Sequence, residues 1–309
     1  MDKMMKTFRY DTSRQWYKGN THLHSIASDG GKNFKELAEL YKSGGYDFLF
    51  RTDHWVTSDV EKDTEDYPLL WIDGVELDGT DHTGAYFHVV CLGKFTDIPR
   101  ENGFEKGLHS ARRQGGIIIL AHPHWTGNSL DDCVRWQFDG VEAYNHVCRW
   151  LNGKSNGFVH WDAALNHNPN SLSFSVDDSH LRPEHPGWNG GWIMVNAGEC
   201  NTPAIVNAIR CGNFYSSCGP EICSISFDGT DLHVKTSPVQ VVRIVGPGFR
   251  GDRKGGLDGR LITNASFTIS TEWKYVYLEV EDQDGRRAWT NNIFITDMSS
   301  SNHKTEGDA

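Results

Sequence analysis

Nine side chains of the kind that hold hard metal ions recur along the first two thirds of the chain, each at or near the end of a short apolar run. They are His22 and His24 in Thr21-His22-Leu23-His24-Ser25, Asp29 in Ser28-Asp29-Gly30, His54 after Asp53, Glu76, His88, His122 in Ala121-His122-Pro123, and Asp178 with His180 in Asp177-Asp178-Ser179-His180. On a strand, His-x-His turns both imidazoles to one face, because side chains alternate with period two. The adjoining runs, Phe48-Leu49-Phe50, Leu69-Leu70-Trp71-Ile72, Ile117-Ile118-Ile119-Leu120 and Leu172-Ser173-Phe174, read as strands. Ligands collected at strand carboxyl ends are what a barrel with its active site at one mouth produces. Imidazoles with carboxylates suit Zn, Mn or Fe(II), and the lack of thiolates argues against a purely structural zinc site. The set exceeds the roughly four donors of one zinc, so two or three divalent ions are expected, with a carboxylate bridging them. Adjacent divalent ions activate a water and stabilise the attacking and leaving oxygens of phosphoryl transfer.

Taken singly, each residue has an ordinary reading. A histidine can be a hydrogen-bonded structural residue and a carboxylate a surface one. His88 lies inside Phe87-His88-Val89-Val90 as a core histidine would, and Asp29 can shape its turn. The ordered set outweighs these readings. Around it stand further candidates. His124, two residues beyond His122, is expected to contact substrate or assist catalysis. Glu142 and Asn145 end a run, Gly140-Val141-Glu142-Ala143-Tyr144-Asn145, and are candidates for the mouth. Arg149 and Arg182 are placed to clamp a phosphate. Asp53 and Asp177 are neighbours of ligands and are expected to orient imidazoles. His82, His109, His146, His160, His167, His185, His233 and His303 have no supporting spacing and read as structural.

The elements that must carry these residues alternate over residues 16 to about 222. Strands are expected at Trp16 to His24, Tyr46 to Phe50, Leu69 to Leu77, Tyr86 to Leu92, Ile117 to Leu120, Phe138 to Tyr144, Leu172 to Val176 and Trp192 to Val195. Between them come helices. One is capped by Asn33 and ended by Gly44-Gly45, another runs from about Gly103 to Gln114, and a third from about Gly157 to Asn166. A fourth opens at Asn201 or Thr202 with Pro203 and closes at Gly212. That rhythm implies a parallel sheet, most economically a closed barrel. After residue 222 only short strands and turns such as Asp228-Gly229 and Asp284-Gly285 remain, which implies a small β-sandwich. The organisation expected is therefore an α/β barrel over 1–222, a β-sandwich over 223–297 and a disordered tail over 298–309.

The chain has 30 basic against 41 acidic residues, a formal charge of −11, which disfavours a nucleic-acid partner bound through its phosphates. It does not disfavour a small phosphorylated substrate, since bound cations invert the local field. Seven cysteines without a Cys-x-x-Cys pair read as reduced thiols. No apolar leader or spanning run is visible, so a cytoplasmic protein without membrane contact is expected.

The ordered pieces resemble the PHP (polymerase and histidinol phosphatase) superfamily of metallohydrolases over residues 17–220. They are Thr21-His22-Leu23-His24-Ser25 with Ser28-Asp29-Gly30, Arg51-Thr52-Asp53-His54, Gly74-Val75-Glu76, His88, Ala121-His122-Pro123 and Asp177-Asp178-Ser179-His180. The stretch Ala204 to Pro220 and the later Trp289-Thr290-Asn291-Asn292 are similar to the CehA/McbA-type branch. The resemblance implies a distorted (β/α)7 barrel with up to three metals in its mouth. His22, His24, Glu76 and Asp178 would hold the first, Glu76 would bridge to a second held by His88 and His122, and Asp29, His54 and His180 would hold a third. Some relatives have histidine where Asp29 stands; the harder oxygen tilts the metals toward Mn or Fe over Zn. The activity implied is hydrolysis of a small phosphorylated compound by a metal-bridging hydroxide, with Glu76, Asp178, His180 and His124 as catalytic residues. The alternatives are hydrolysis of a carboxylic or carbamic ester or amide at the same metals, or a metal-stabilised scaffold whose β domain binds a glycan or protein.

Overall fold

The computed structural model describes residues 6–96, 98–256, 258–270 and 272–296. The strands are β1 Lys6–Phe8, β2 Gln15–Asn20, β3 Phe48–Arg51, β4 Leu70–Thr80, β5 Tyr86–Leu92, β6 Ile117–Leu120, β7 Gly140–Asn145, β8 Leu172–Val176 and β9 Trp192–Ala197. There follow β10 Phe214–Ser217, β11 Ile222–Phe227, β12 Asp231–Val239, β13 Val241–Val245, β14 Gly251–Gly255, β15 Ile262–Thr268, β16 Tyr277–Glu281, β17 Arg287–Thr290 and β18 Phe294–Thr296. The helices are α1 Phe34–Ser43, α2 Phe104–Arg113, α3 Pro123–Thr126, α4 Leu130–Arg135, α5 His146–Asn152, α6 Phe158–His167 and α7 Thr202–Cys211.

Local chemistry explains the longer helices. Asn33 and Glu36 form a reciprocal capping box at the start of α1, and Asn201 caps α7 through the amide of Ala204. Gly212 ends α7 in the left-handed conformation that a residue without Cβ adopts freely. Strand β6 is apolar and buried along its whole length because layers cover both faces.

Seven strands, β2 to β8, follow one another in sheet order. Beyond their C-terminal ends the outermost two meet: Leu23 and Ser179 form a parallel bridge, with the His24 amide donating to Ser179 O at 2.9 Å and the Asp178 amide to His22 O at 2.9 Å. The barrel mouth is thus joined at the segments that carry the ligands. The sheet is mixed and not parallel throughout as the βα rhythm implied. β2–β3, β3–β4, β6–β7 and β7–β8 are parallel, while β5 runs antiparallel to both β4 and β6. Only residues 81–85 separate β4 from β5, and a parallel crossover needs a dozen or more.

Antiparallel β9 pairs with β2, and the sheet continues from it through β10, β17, β16 and β13 to β14. Against this extension lies a three-stranded sheet, β11-β12-β15, and the two layers share a core that includes Ile225, Leu232, Phe267, Ile244 and Leu278. Strands β1 and β18, from opposite ends of the chain, pair with each other. Trp289, Asn291 and Asn292 fasten this region to the barrel. Trp289 Nε1 donates to Ser173 Oγ at 2.7 Å, Asn291 accepts the Ser173 amide at 2.8 Å and donates to Gly212 O and Phe214 O at 3.1 Å each, and Asn292 donates to Pro169 O at 2.9 Å. The tail expected over 298–309 lies outside the described residues. Among the described residues no helix is long and apolar enough to cross a membrane. The seven cysteines form no disulfide.

Candidate metal centre

Leu23 is fully buried against Leu37, Ala38, Tyr41 and Leu49 on the outer side of the mouth. Alternation therefore sends His22 and His24 inward, where both are fully buried. The Asp53 carboxylate accepts from the Ser25 amide (2.8 Å) and hydroxyl (2.8 Å) and from the Ser28 hydroxyl (2.7 Å). It therefore secures the loop carrying Asp29, where the sequence suggested that it orients an imidazole. Asp177 likewise accepts from Asn20, Tyr41, Asn189, Gly190 and Gly191, and ties strand ends together. His122 and Asp178 have φ of +26° and +54°. Such backbone costs on the order of 1–3 kcal/mol for a residue with a side chain, and in each case it turns a ligand out of the strand direction into the mouth.

The nine expected ligands fall into four overlapping sets whose donor atoms lie within 4.8 Å of one another. These are His22, His24 and Asp178; His22, Glu76 and His122; His54, Glu76 and His88; and His24, Asp29, His54 and His180. Glu76 is the hub. Its Oε2 is 3.2 Å from Nε2 of both His22 and His24 and 3.3 Å from Nε2 of His54; its Oε1 is 2.9 Å from Nδ1 of His88 and 3.5 Å from Nε2 of His122. Asp178 Oδ1 lies 3.3 Å from His22 Nε2 and 3.1 Å from His24 Nε2. On the outer side His180 Nε2 is 3.2 Å from Asp29 Oδ2, while its Nδ1 donates to Asp178 O at 2.9 Å.

This donor set fits divalent cations on structural grounds. His22 Nδ1 faces Glu142 Oε1 at 2.7 Å, which leaves Nε2 of the neutral ring as a lone pair. That lone pair points at His24 Nε2, 3.2 Å away, beside two carboxylates. Glu76 Oε2 is buried without a hydrogen bond of proper geometry. Electron pairs converging on one point, in a buried setting, are satisfied by a cation and not by one another. With no cation, protons must take that role. Burial opposes a charge on His22, but Asp178, Glu76 and Glu142 overcome it and raise its pKa well above the usual value. At His24 burial is likewise outweighed by Asp178 and Glu76, which lift it to about 9. Burial would raise Glu76 and Asp178; the surrounding imidazoles hold both well below the usual carboxylate range.

The remaining candidates are placed variously. Glu142 and Asn145 are buried behind the ligands, away from the open mouth. Glu142 Oε2 accepts from the His122 amide at 2.9 Å and from Asn145 Nδ2 at 3.0 Å, and the same Asn145 nitrogen is 3.1 Å from Asp178 Oδ2. His124 is exposed on α3, outside the cluster, because the chain turns into a helix at His122 and period two no longer applies. Arg149 is exposed on α5, and Arg182 reaches Asp29 at 3.9 Å.

Several residues at the mouth escaped the sequence reading. Asp78 accepts from Trp55 Nε1 (2.9 Å), Tyr86 OH (3.3 Å) and Arg100 (3.2 Å). Asp78 and Tyr86 stand two residues from Glu76 and His88, so the same alternation could have found them. Trp125 packs edge-on to His122 and His88, with ring centroids 5.2 and 5.9 Å apart. His185 lies beside His180, their ring centroids 5.6 Å apart. For Arg100, Trp125 and His185 no spacing signal exists.

No family model matches this chain, and no curated protein matches it either. Among solved structures it is similar to a two-domain protein from Bacteroides vulgatus described as containing a predicted PHP-like metal-dependent phosphoesterase. The TM-score is 0.52 and the identity 14%, over 96% of this chain and 98% of that one. A protein from Bifidobacterium adolescentis, provisionally assigned as a metal-dependent phosphoesterase, matches with a TM-score of 0.38 and 14% identity over 53% of this chain and 89% of the other. An amidohydrolase from Chromobacterium violaceum matches at 0.24 and 20% identity, over 55% and 57%. The full-length match fixes the fold: this chain has the mixed α/β architecture of the two-domain PHP-like protein, with additional small C-terminal sheets.

Proposed function

We propose that this chain is a metal-dependent phosphoesterase acting on a small phosphorylated compound. The observation that carries the reading is Glu76, a single buried carboxylate flanked by five imidazoles. His22, His24, Glu76 and Asp178 would hold one ion, His88 and His122 would complete a second around Glu76, and Asp29, His54 and His180 would hold a third. Zn, Mn or Fe(II) suit these donors. Such ions supply an acidified water and neutralise charge on the phosphoryl oxygens. The protein's part is orientation: Glu142 fixes His22, Asn145 fixes Asp178, and Trp125 packs edge-on against His122 and His88. Arg100 lines the polar side of the mouth, where it would pair with an anionic group that the ions leave exposed, and Arg182 lies 3.9 Å from Asp29.

The test is a panel of phosphomonoesters, aryl esters and aryl carbamates assayed with Mn, Fe(II) and Zn beside elemental analysis. Phosphate release from at least one monoester, lost on chelation, is expected. Efficient cleavage of carbamates or esters with no phosphoester turned over would replace phosphorus by carbon as the reacting atom.

A further inference from the structure

Two recesses open on the ligand cluster and share Asp29, His54 and His88. One, of about 450 Å³, is polar and open, walled by Ser28, Asp78, Tyr86 and Arg100. The other, of about 210 Å³, runs past His122 and His180 to Trp125, Val147, Cys148 and Leu151. Val147 and Cys148 are buried, and Trp125 is held by its two edge-on contacts with ligand imidazoles. Apart from His185 and the indole N–H of Trp125, the wall beyond the ligands is hydrocarbon and a thiol.

From this asymmetry we infer the substrate class, an inference that rests on the phosphoesterase reading: the enzyme hydrolyses the phosphate monoester of a small apolar alcohol. The phosphoryl group faces the ligands and the hydrocarbon part fills the recess of Trp125, Val147, Cys148 and Leu151. Water adds its oxygen to phosphorus, the P–O bond to the alcohol breaks, and the alcohol departs with a proton from that water. Two physical arguments select the alcohol. A polyol placed against this wall would give up hydrogen bonds to water and gain few in return, whereas an apolar group releases poorly bonded water. An apolar cavity of ~150 Å³ holds benzene, so a recess of about 210 Å³ has room for one ring beside the ligands.

The test uses metal-loaded protein with benzyl phosphate and 2-hydroxyethyl phosphate, whose leaving alcohols have similar acidity. The kcat/KM ratio should favour benzyl by about tenfold or more, the order expected for burying a ring. Leu151→Asp should reduce that ratio about tenfold, and Leu130→Asp, an exposed leucine away from the recess, should leave it unchanged. Calorimetric binding of benzylphosphonate and methylphosphonate, which cannot be hydrolysed, should show the same preference. A wild-type ratio near one or inverted overturns the inference even if Leu151→Asp fails to fold. Absence of all phosphoester turnover sinks the phosphoesterase reading instead. In that event the phosphonate pair still decides the recess, equal binding refuting it and a benzyl preference supporting it.

Discussion

Glu142→Gln is the sharpest probe of how the centre is held, because it changes one charge and no volume. Glu142 receives three buried donors: His22 Nδ1 at 2.7 Å on one oxygen, and the His122 amide at 2.9 Å and Asn145 Nδ2 at 3.0 Å on the other. A glutamine has one acceptor oxygen. Whichever way its amide turns, an NH2 group meets at least one donor. Leaving that donor unpaired costs about 1–3 kcal/mol, and the contact to His22 loses the strengthening that an ionised acceptor gives. Partners behind a metal ligand are typically worth 10–100-fold in metal affinity, or about 1.4–2.8 kcal/mol. We therefore expect Glu142→Gln to weaken binding of the tightest ion by one to two orders of magnitude, measured by competition with a chromophoric chelator. The exposed Glu39→Gln should match wild type. A Glu142→Gln affinity within threefold of wild type would mean that His22 is positioned by its strand alone, and the reasoning would be refuted.

Glu76→Ala should abolish turnover and lower bound metal to at most one ion per chain by elemental analysis, with far-ultraviolet circular dichroism unchanged; full metal content in the variant would remove Glu76 from the centre. Chelator-treated protein should lose stability as pH rises. The folded-state pKa of His24 is about 9, above its usual 6.5, so its contribution is complete below about 6.5 and disappears as pH passes through about 9. Melting temperatures should therefore fall between pH 7 and 9.5, while the extra stabilisation from added metal grows over the same window because ligands must shed protons; a flat or rising metal-free profile contradicts the assignment. Gly30→Ala should destabilise the loop of Asp29 by about 1–3 kcal/mol or more. Its Cβ would stand 2.2 Å from His24 O, a backbone atom that cannot yield. Urea melts that coincide with wild type would show that the turn can open.

How much of this was legible in the sequence depended on periodicity. Every expected ligand, His22 to His180, belongs to the clusters, because strand ends converge on the mouth; alternation specifies the inward face for His22 and His24, while positive φ turns His122 and Asp178 inward. Asn33 and Asn201 marked helix starts because capping is local chemistry. His124 lies outside the clusters, exposed on α3, where the backbone leaves the strand at His122. Asn145 ends β7 as anticipated and Glu142 lies within it, yet position along a strand does not reveal whether a side chain faces the opening or stands behind its neighbours. Arg100, from a turn after β5, and Trp125 reach the mouth through tertiary packing, which leaves no period to read.

The unbroken passage of the long sheet from β9 and β10 into β17, with Asn291 and Asn292 anchored in barrel carbonyls, has an evolutionary consequence. Modules that are shuffled between genes meet their neighbours through linkers that can be cut. Here a cut after residue 222 would expose the β10 edge along Tyr215 to Ser217 and leave the Ser173 amide without its Asn291 acceptor, inside what is now the interior. Neither half then keeps its buried partners without the other, and a change at either side of this seam must be matched across it.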